Sequence, residues 1–174
     1  MNKFIIIALV SSLLYSCNPE KKYRERERRE VPSSSEFKPS NHIHKMLMGQ
    51  SVYVPIYSSL YNEYEEKLFH MTAILSIRNI SPKNSITISK VDYFDTNGKL
   101  IKSFINQQFT LGTMSSKDFV IPESDLTGGT GANFIVTWGS DKPISIPIIE
   151  AVMIGSIGTK GFSFSSRGKE IEAH

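Results

Sequence analysis

The residues best suited to binding chemistry lie in a glycine-rich segment, 124–133, that leads into an apolar run. Three glycines within 128–131 permit positive φ angles and close backbone approach, so their N–H groups could face an anion. The segment differs from a phosphate-binding loop, because no Lys-Ser or Lys-Thr follows the last glycine and the pattern continues as a strand. It favours a structural loop, with ligand or partner binding as the open alternative. The candidate binding residues are Asp125, Thr127, Gly128, Gly129, Thr130, Gly131 and Asn133.

The chain's four histidines and single cysteine leave few groups for hydrolytic or metal chemistry. His70 alone lies within the predicted strands, and no Gly-x-Ser-x-Gly segment presents a serine to it, which disfavours a Ser-His-Asp hydrolase without excluding one. His42-Ile43-His44 lacks a third ligand nearby, and Asp92, Asp95 and Asp125 lack the spacing of a calcium loop. We therefore expect a domain without catalysis, metal or cofactor.

Glu150 and two tyrosines each have a structural and a functional interpretation. Glu150 interrupts an apolar run, so we expect it to face outward or to pair with a basic residue such as Arg78 or Arg167. Tyr53 and Tyr57 share one face of a predicted strand and are candidate binding aromatics, because exposed tyrosines anchor sugars and peptides. They could equally cover the edge of a sheet.

Alternating apolar and polar residues dominate the chain from residue 50 onward, which is the period of a half-buried β-strand. The alternation is clearest over 69–77 and 134–138. Turn signals separate such runs, above all Asp95-Thr96-Asn97-Gly98, which predicts a hairpin. About seven to nine short strands predict an all-β, antiparallel sandwich of immunoglobulin-like type. A small β-barrel is the alternative.

The first seventeen residues have the pattern of an export signal. Lys3 precedes a mostly apolar run, 4–14, which is shorter than the roughly 18–20 apolar residues that span a bilayer. Leu14-Tyr15-Ser16-Cys17 resembles the lipobox of bacterial lipoproteins. The resemblance implies cleavage between Ser16 and Cys17, a thioether-linked diacylglycerol on Cys17 and acylation of the new N-terminus. An ordinary secretory signal that contains a cysteine is the alternative.

Charge and composition divide the remaining chain. Residues 20–30 carry six basic and four acidic groups, and Pro/Ser-rich stretches follow, so 17–45 is predicted to be a lipidated flexible tether after the signal peptide at 1–16. Residues 46–168 are the predicted sandwich, and 169–174 a C-terminal tail. From residue 46 onward 11 Lys/Arg face 12 Asp/Glu, which argues against nucleic-acid binding.

Five separated blocks resemble one bacterial family, the Domain of Unknown Function 3124 family, over roughly residues 48–168. The blocks are 49–57, 75–79, 91–98, 128–134 and 147–155. The resemblance implies an exported envelope domain and carries over no activity. The prefix with Ser-Cys-Asn resembles lipoproteins of the Bacteroidetes kind, in which an acidic run after the cysteine resembles a surface-export signal. Because Asn-Pro-Glu-Lys-Lys follows Cys17 instead, this resemblance favours the periplasmic face of the outer membrane over the cell surface. We expect a lipid-anchored module that binds a protein or glycan partner, with a carbohydrate or small-ligand binder and then an envelope hydrolase as alternatives.

Replacing Cys17 with serine should move the protein from the membrane fraction to the soluble fraction, because the acyl anchor can no longer form. Fractionation followed by immunoblotting measures the shift. Ser34→Ala, within the predicted tether, is the control and should stay with the membrane. Tight membrane retention of the Cys17→Ser protein would contradict the lipobox interpretation.

Overall fold

Twelve strands and one 3-10 helix form the regular structure of residues 46–61 and 68–174, which are the residues that the computed structural model describes. The predicted signal peptide, Ser16, Cys17 and the tether lie outside the described residues. Within the described ranges, no helix is long and apolar enough to cross a membrane. The elements are β1 (Met48–Pro55), β2 (Ser59–Tyr61), β3 (Leu68–His70), β4 (Thr72–Arg78), β5 (Ile86–Phe94), β6 (Leu100–Ser103), β7 (Phe109–Leu111), β8 (Ser116–Ile121), the 3-10 helix (Gly129–Gly131), β9 (Asn133–Ser140), β10 (Ile148–Ile157), β11 (Lys160–Arg167) and β12 (Lys169–Ala173).

Two antiparallel sheets make up the sandwich. The first has the order β12-β1-β9-β5-β6, with β7 also paired to β5, and the second has the order β11-β10-β4-β8. The short strands β2 and β3 pair with each other. Both sheets keep open edges, so the predicted sandwich is confirmed and the small barrel is wrong. The twelve strands exceed the seven to nine expected. Three of the twelve, β2, β3 and β7, are only three residues long.

The core lies between the sheets and follows the alternation of the sequence. The inward-facing side chains of β4 and β9 are all at most 1% exposed: Ala73, Leu75, Ile77, Phe134, Val136 and Trp138. Each large side chain buried in this way contributes roughly 1.5–3 kcal/mol. The apolar run 69–77 is divided at Met71, whose N–H donates to Ser58 O (3.0 Å). β3 therefore pairs with β2, whereas β4 enters the second sheet.

A β-bulge in β5 keeps its apolar side chains on the inward face. Its inward residues are Ile86 and Ile88 before the bulge, then Val91 and Tyr93 after it, so the period of two slips by one residue. The register with β9 shifts between Ile88 and Lys90 accordingly. An extra residue in one strand restores the inward direction of the apolar side chains.

The predicted hairpin at 95–98 joins β5 to β6 and is confirmed. Asp95 Oδ1 accepts hydrogen bonds from the backbone N–H groups of Asn97 and Lys99, both at 2.8 Å. Gly98 has a φ of 78°, a conformation that residues with a side chain rarely adopt.

Asn79, which the sequence did not single out, joins two turns. Its buried side-chain amide donates to Asn84 O (2.9 Å) and Gly112 O (2.8 Å), and its Oδ1 accepts from Ser81 N (2.9 Å). These bonds pair backbone groups in the turn that follows β4 and in the turn that follows β7.

Glu150 lies on the outward face of β10 and pairs with Arg78 (Nε to Oε1, 3.8 Å). Arg167 is its neighbour on β11. Both expected features of Glu150, an outward position and a basic partner, are therefore found together. The pair is partly exposed, so it contributes little to stability.

Residues 169–174 form part of the sheet instead of the predicted tail. Lys169–Ala173 is β12, which pairs with β1 at the edge of the first sheet. Gln50 Nε2 donates to the Glu170 carboxylate, and His174 N donates to Gly49 O at 2.9 Å. All five strand residues are exposed, so no buried face marked them in the sequence. Backbone pairing with β1 provides the order.

The chain passes from the second sheet to the first at Gly168, between β11 and β12. Gly168 N donates to Ile149 O (2.9 Å). A Cβ at this position would lie 2.5 Å from Val52 Cγ1 and 2.9 Å from Ile149 O. A backbone carbonyl that is held in a sheet cannot move away easily, so the crossing requires glycine.

Gly168→Ala should therefore lower the free energy of unfolding by about 1–3 kcal/mol, the usual cost of overpacking. Urea unfolding of the two proteins measures the difference. Gly161→Ala is the matched control, since its Cβ would meet nothing nearer than 3.9 Å. Equal midpoints for Gly168→Ala and the parent would show that the crossing tolerates a side chain.

Candidate functional site

Hydrogen bonds from two sides hold the glycine-rich segment. Ser58 N and Ser58 Oγ both donate to Gly129 O (3.2 and 2.9 Å). Thr96 N and Thr96 Oγ1 both donate to Gly128 O (2.9 and 3.0 Å), and Gly131 N donates to Thr96 Oγ1 (2.9 Å). The carbonyls of Gly128 and Gly129 and the N–H of Gly131 are thus bonded within the fold, which supports the structural interpretation of the glycines.

Position 128 has no room for a side chain, because Tyr93 and Ser58 lie directly against it. A Cβ there would be 2.0 Å from the Tyr93 hydroxyl and 2.6 Å from Ser58 Oγ. Tyr93 and Ser58 are both 0% exposed. Next in the chain, Gly129 has a φ of 78°, so it needs glycine for its backbone conformation. The segment is a close-packed lid over Tyr93.

The Tyr93 hydroxyl is buried without a hydrogen-bond partner among the described residues. Burial raises the pKa of this hydroxyl above its ordinary value of 10.0. The neighbouring hydroxyls of Ser58 and Thr127 oppose the rise and the charges of Asp125 and Asp95 add to it, but neither hydroxyl has the geometry of a hydrogen bond to Tyr93. The group is a buried neutral phenol.

The other candidate residues of the segment do not form one cluster. Asp125 Oδ1 accepts from Thr127 N (3.0 Å) and Thr127 Oγ1 (2.5 Å), which closes a local turn. Asn133 is buried at the start of β9, opposite Pro55 and Phe94. Thr130 is half-buried in the 3-10 helix. Asn133 therefore belongs to the sheet, whereas Asp125 and Thr127 lie at the accessible end of the segment.

The two candidate tyrosines have different structural surroundings. Tyr53 is half-buried within β1, opposite Ile135 of β9. Tyr57 follows the end of β1, and its ring makes an edge contact with Phe164 (centroids 5.8 Å apart). Tyr57 thus covers the side of β11, which is the structural alternative that the sequence left open.

An open groove of about 590 Å³ lies where β3 meets the connection from β8 to β9. It is lined by His70, Pro122, Glu123, Ser124 and Leu126. Leu126 is 57% exposed, and the other residues add an imidazole, a carboxylate and a hydroxyl. His70 was weighed from the sequence as a catalytic residue, and Ser124 and Leu126 lie within the segment 124–133 but were not among its candidate residues. The signal that could have found the groove is Leu126, an apolar residue within a polar loop.

One face of the β2–β3 hairpin adds exposed apolar side chains beside this groove. Leu68 lies two residues before His70 on the same strand, so both side chains point to one face. Tyr61 is opposite Leu68. These two apolar side chains are 46% (Leu68) and 64% (Tyr61) exposed. Large exposed apolar groups rimmed by polar ones are typical of a contact surface.

Two serine–histidine pairs lie within hydrogen-bond distance among the described residues, and neither completes an accessible catalytic triad. Ser59 Oγ is 2.8 Å from His70 Nδ1, but Ser59 is 2% exposed, so a substrate cannot reach it. Ser51 Oγ is 2.9 Å from His174 Nε2. Glu172 approaches that same nitrogen at 3.9 Å, whereas a triad carboxylate orients the opposite one.

Potential metal ligands are also dispersed. No group of three or more His, Cys, Asp or Glu side chains could hold one ion among residues 46–61 and 68–174.

Two open antiparallel sheets and a groove bordered by loops define a β-sandwich protein. Residues 49–171 match the model of the family described as "Protein of unknown function (DUF3124)", and the chain belongs to this family. No curated protein matches the chain. Among solved structures the chain is similar to Thermotoga maritima 1070, with 10% sequence identity and a TM-score of 0.40, covering 69% of this chain and 92% of that one.

Gly128→Ala should lower the free energy of unfolding by about 1–3 kcal/mol, because its methyl group meets the Tyr93 hydroxyl. Tyr93→Phe alone should be close to neutral, since the hydroxyl it removes has no partner. In the double variant the nearest obstacle is gone, so the combined loss should be smaller than the sum. Urea unfolding of the four proteins measures this coupling. Strictly additive losses would mean that Gly128 is not constrained by Tyr93.

Proposed function

We propose that this protein is a lipid-anchored component of the bacterial cell envelope whose β-sandwich binds a partner protein and catalyses no reaction. The lipobox-like Leu14-Tyr15-Ser16-Cys17 supports the anchor at Cys17. The residues that follow Cys17 support the periplasmic face of the outer membrane, and the tether would let the sandwich reach a partner away from the anchor. Its predicted r.m.s. reach is about 30 Å for a flexible coil of this length.

The observation that carries the binding role is the open groove beside the β2–β3 hairpin. Leu126 at the groove and Leu68 and Tyr61 on the hairpin expose apolar surface that the fold itself does not use. His70, Glu123 and Ser124 supply polar groups around it. An apolar centre with polar neighbours is the composition of a protein–protein contact.

The glycines of the segment support this surface, whereas Ser124 and Leu126 at its start contact the partner. Hydrogen bonds from Ser58 and Thr96 fix Gly128 and Gly129, and residues 123–126 lead directly into that fixed point. A loop that is already ordered loses little conformational entropy on binding. The tight packing over Tyr93 therefore preorganises Leu126.

A non-catalytic role is supported by the two serine–histidine pairs. Ser59 is buried, and Ser51 shares one nitrogen of His174 with Glu172. Neither pair offers an accessible activated hydroxyl.

A carbohydrate is the second candidate ligand. His70, Glu123 and Ser124 together offer the hydrogen-bonding groups that sugar hydroxyls require, and Tyr61 on the adjoining hairpin offers an exposed ring. A shallow groove suits one or two sugar units more than an enclosed small molecule.

Leu126→Asp should reduce capture of the partner by about tenfold or more, since a charge replaces an apolar anchor. The measurement is an in-cell crosslink and pull-down with the anchored full chain. Leu47→Asp is the matched control, because Leu47 is also an exposed leucine (63%) and lies outside the groove. Circular dichroism of both variants verifies that each is folded.

Selective loss with Leu126→Asp supports the proposed surface, whereas equal capture by both variants would place the contact elsewhere. An empty pull-down from correctly localised protein would contradict a protein partner. Glycan fragments that raise the melting temperature of the parent, but not of a Glu123→Ala variant, would then establish the carbohydrate alternative.

A further inference from the structure

The outer edge of β11 is the least protected sheet edge in the described part of the chain. Between Lys160 and Arg167 it has six uncharged residues, 161–166. By contrast, β12 carries Lys169, Glu170 and Glu172, β8 carries Lys117 and Asp118, and β6 has only four residues. Proteins usually protect an edge strand with charge, proline or short length, because its free backbone groups pair readily with another strand.

The register identifies which backbone groups of β11 are free. Gly168 N donates to Ile149 O, and the ladder with β10 continues from there without a shift. Because hydrogen-bonded and non-bonded pairs alternate in an antiparallel ladder, Phe162 and Phe164 bond to β10. The N–H and C=O groups of Gly161, Ser163 and Ser165 therefore point away from β10.

These three edge residues are small and exposed, so no side chain obstructs a strand that approaches them. Phe162 and Phe164 point inward and are only half-buried. Each ring contacts one aromatic neighbour, Phe69 at 5.5 Å for Phe162 and Tyr57 at 5.8 Å for Phe164. The edge thus combines backbone groups that have no partner among residues 46–61 and 68–174 with two half-buried rings.

The sequence of this edge is symmetric about Ser163. Phenylalanine lies on either side of Ser163, and a small residue, Gly161 or Ser165, lies beyond each phenylalanine. If two copies pair antiparallel around a two-fold axis at Ser163, Gly161 lies opposite Ser165 of the other copy. Phe162 then lies opposite Phe164, an aromatic cross-strand pair that is favourable in sheets.

Charge is compatible with this pairing. In this register Lys160 would lie opposite Ser166 of the second copy, and Arg167 opposite Thr159. No two like charges are directly opposite each other, which is the arrangement that would disfavour two strands.

We propose that two copies of this chain pair along β11, antiparallel and with Ser163 on the two-fold axis. The two four-stranded sheets then join into one continuous sheet. The interface is isologous, since the same edge serves in both copies. None of its residues lines the groove that carries the proposed binding function.

Ser163→Cys in the full chain tests this register. Opposed residues of a hydrogen-bonded antiparallel pair have Cα atoms about 5.5 Å apart, which suits a disulfide. Ser165→Cys is the matched control, because two copies of residue 165 would be more than about 12 Å apart in the same register. The parent chain, with Cys17 as its single cysteine, supplies the baseline.

On non-reducing gels of whole cells, Ser163→Cys should give a disulfide-linked dimer in at least about fivefold excess over Ser165→Cys and the parent. No dimer, or equal dimer from both cysteine variants, would overturn the proposal. A disulfide of Ser163→Cys to a different protein would also overturn it, and would identify β11 as the site of a heterologous extended segment.

Two charge variants test the same contact without a covalent bond. Ser163→Lys and Ser163→Glu each place like charges together at the axis and should weaken the dimer severalfold. Co-expression of the two variants should restore a mixed dimer, measured by differently tagged copies in a pull-down. If both single variants dimerise as the parent does, or the mixture shows no recovery, Ser163 is not on the axis.

Discussion

Backbone pairing of β9 is the constraint on which the rest of the structure depends. β9 lies in the middle of the first sheet, with β1 on one side and β5 on the other. Its Phe134, Val136 and Trp138 side chains are buried, so its N–H and C=O groups have no access to water and must find partners. β1 and β5 come from distant parts of the chain. The bulge in β5 and the crossing at Gly168 are local adjustments that keep this pairing and the core compatible.

The glycine-rich segment lies between the proposed surface and β9. It must deliver the chain into β9 in one register, and hydrogen bonds from Ser58 and Thr96 hold it there. Gly128 lies directly over Tyr93, so the loop has little freedom to move. Leu126 lies two residues before Gly128, at the groove. A structural role for the glycines and a binding role for their neighbours are therefore consistent.

The two sheet edges on either side of Gly168 differ in chemistry although they are consecutive in sequence. β12 closes the first sheet with a charged edge that remains exposed. β11 ends the second sheet with small uncharged residues and half-buried phenylalanines. Since both edges expose backbone groups, this difference in side chains determines which edge favours another strand. The residues that line the groove and those of the β11 edge are different, and the two regions meet where Phe69 of the β2–β3 hairpin contacts Phe162.

The sequence by itself predicted the antiparallel sandwich, the inward face of β4 and the hairpin at 95–98, and for Glu150 either an outward position or a basic partner such as Arg78 or Arg167. Each of these depends on local alternation, turn residues or a buried charge that needs a partner. Only the tertiary structure decided that 169–173 is a strand, because its order comes from backbone pairing with β1 and no buried face marks it. It alone brought His70 next to 122–126. Such contacts join segments far apart in the chain, and their proximity depends on how the two sheets pack.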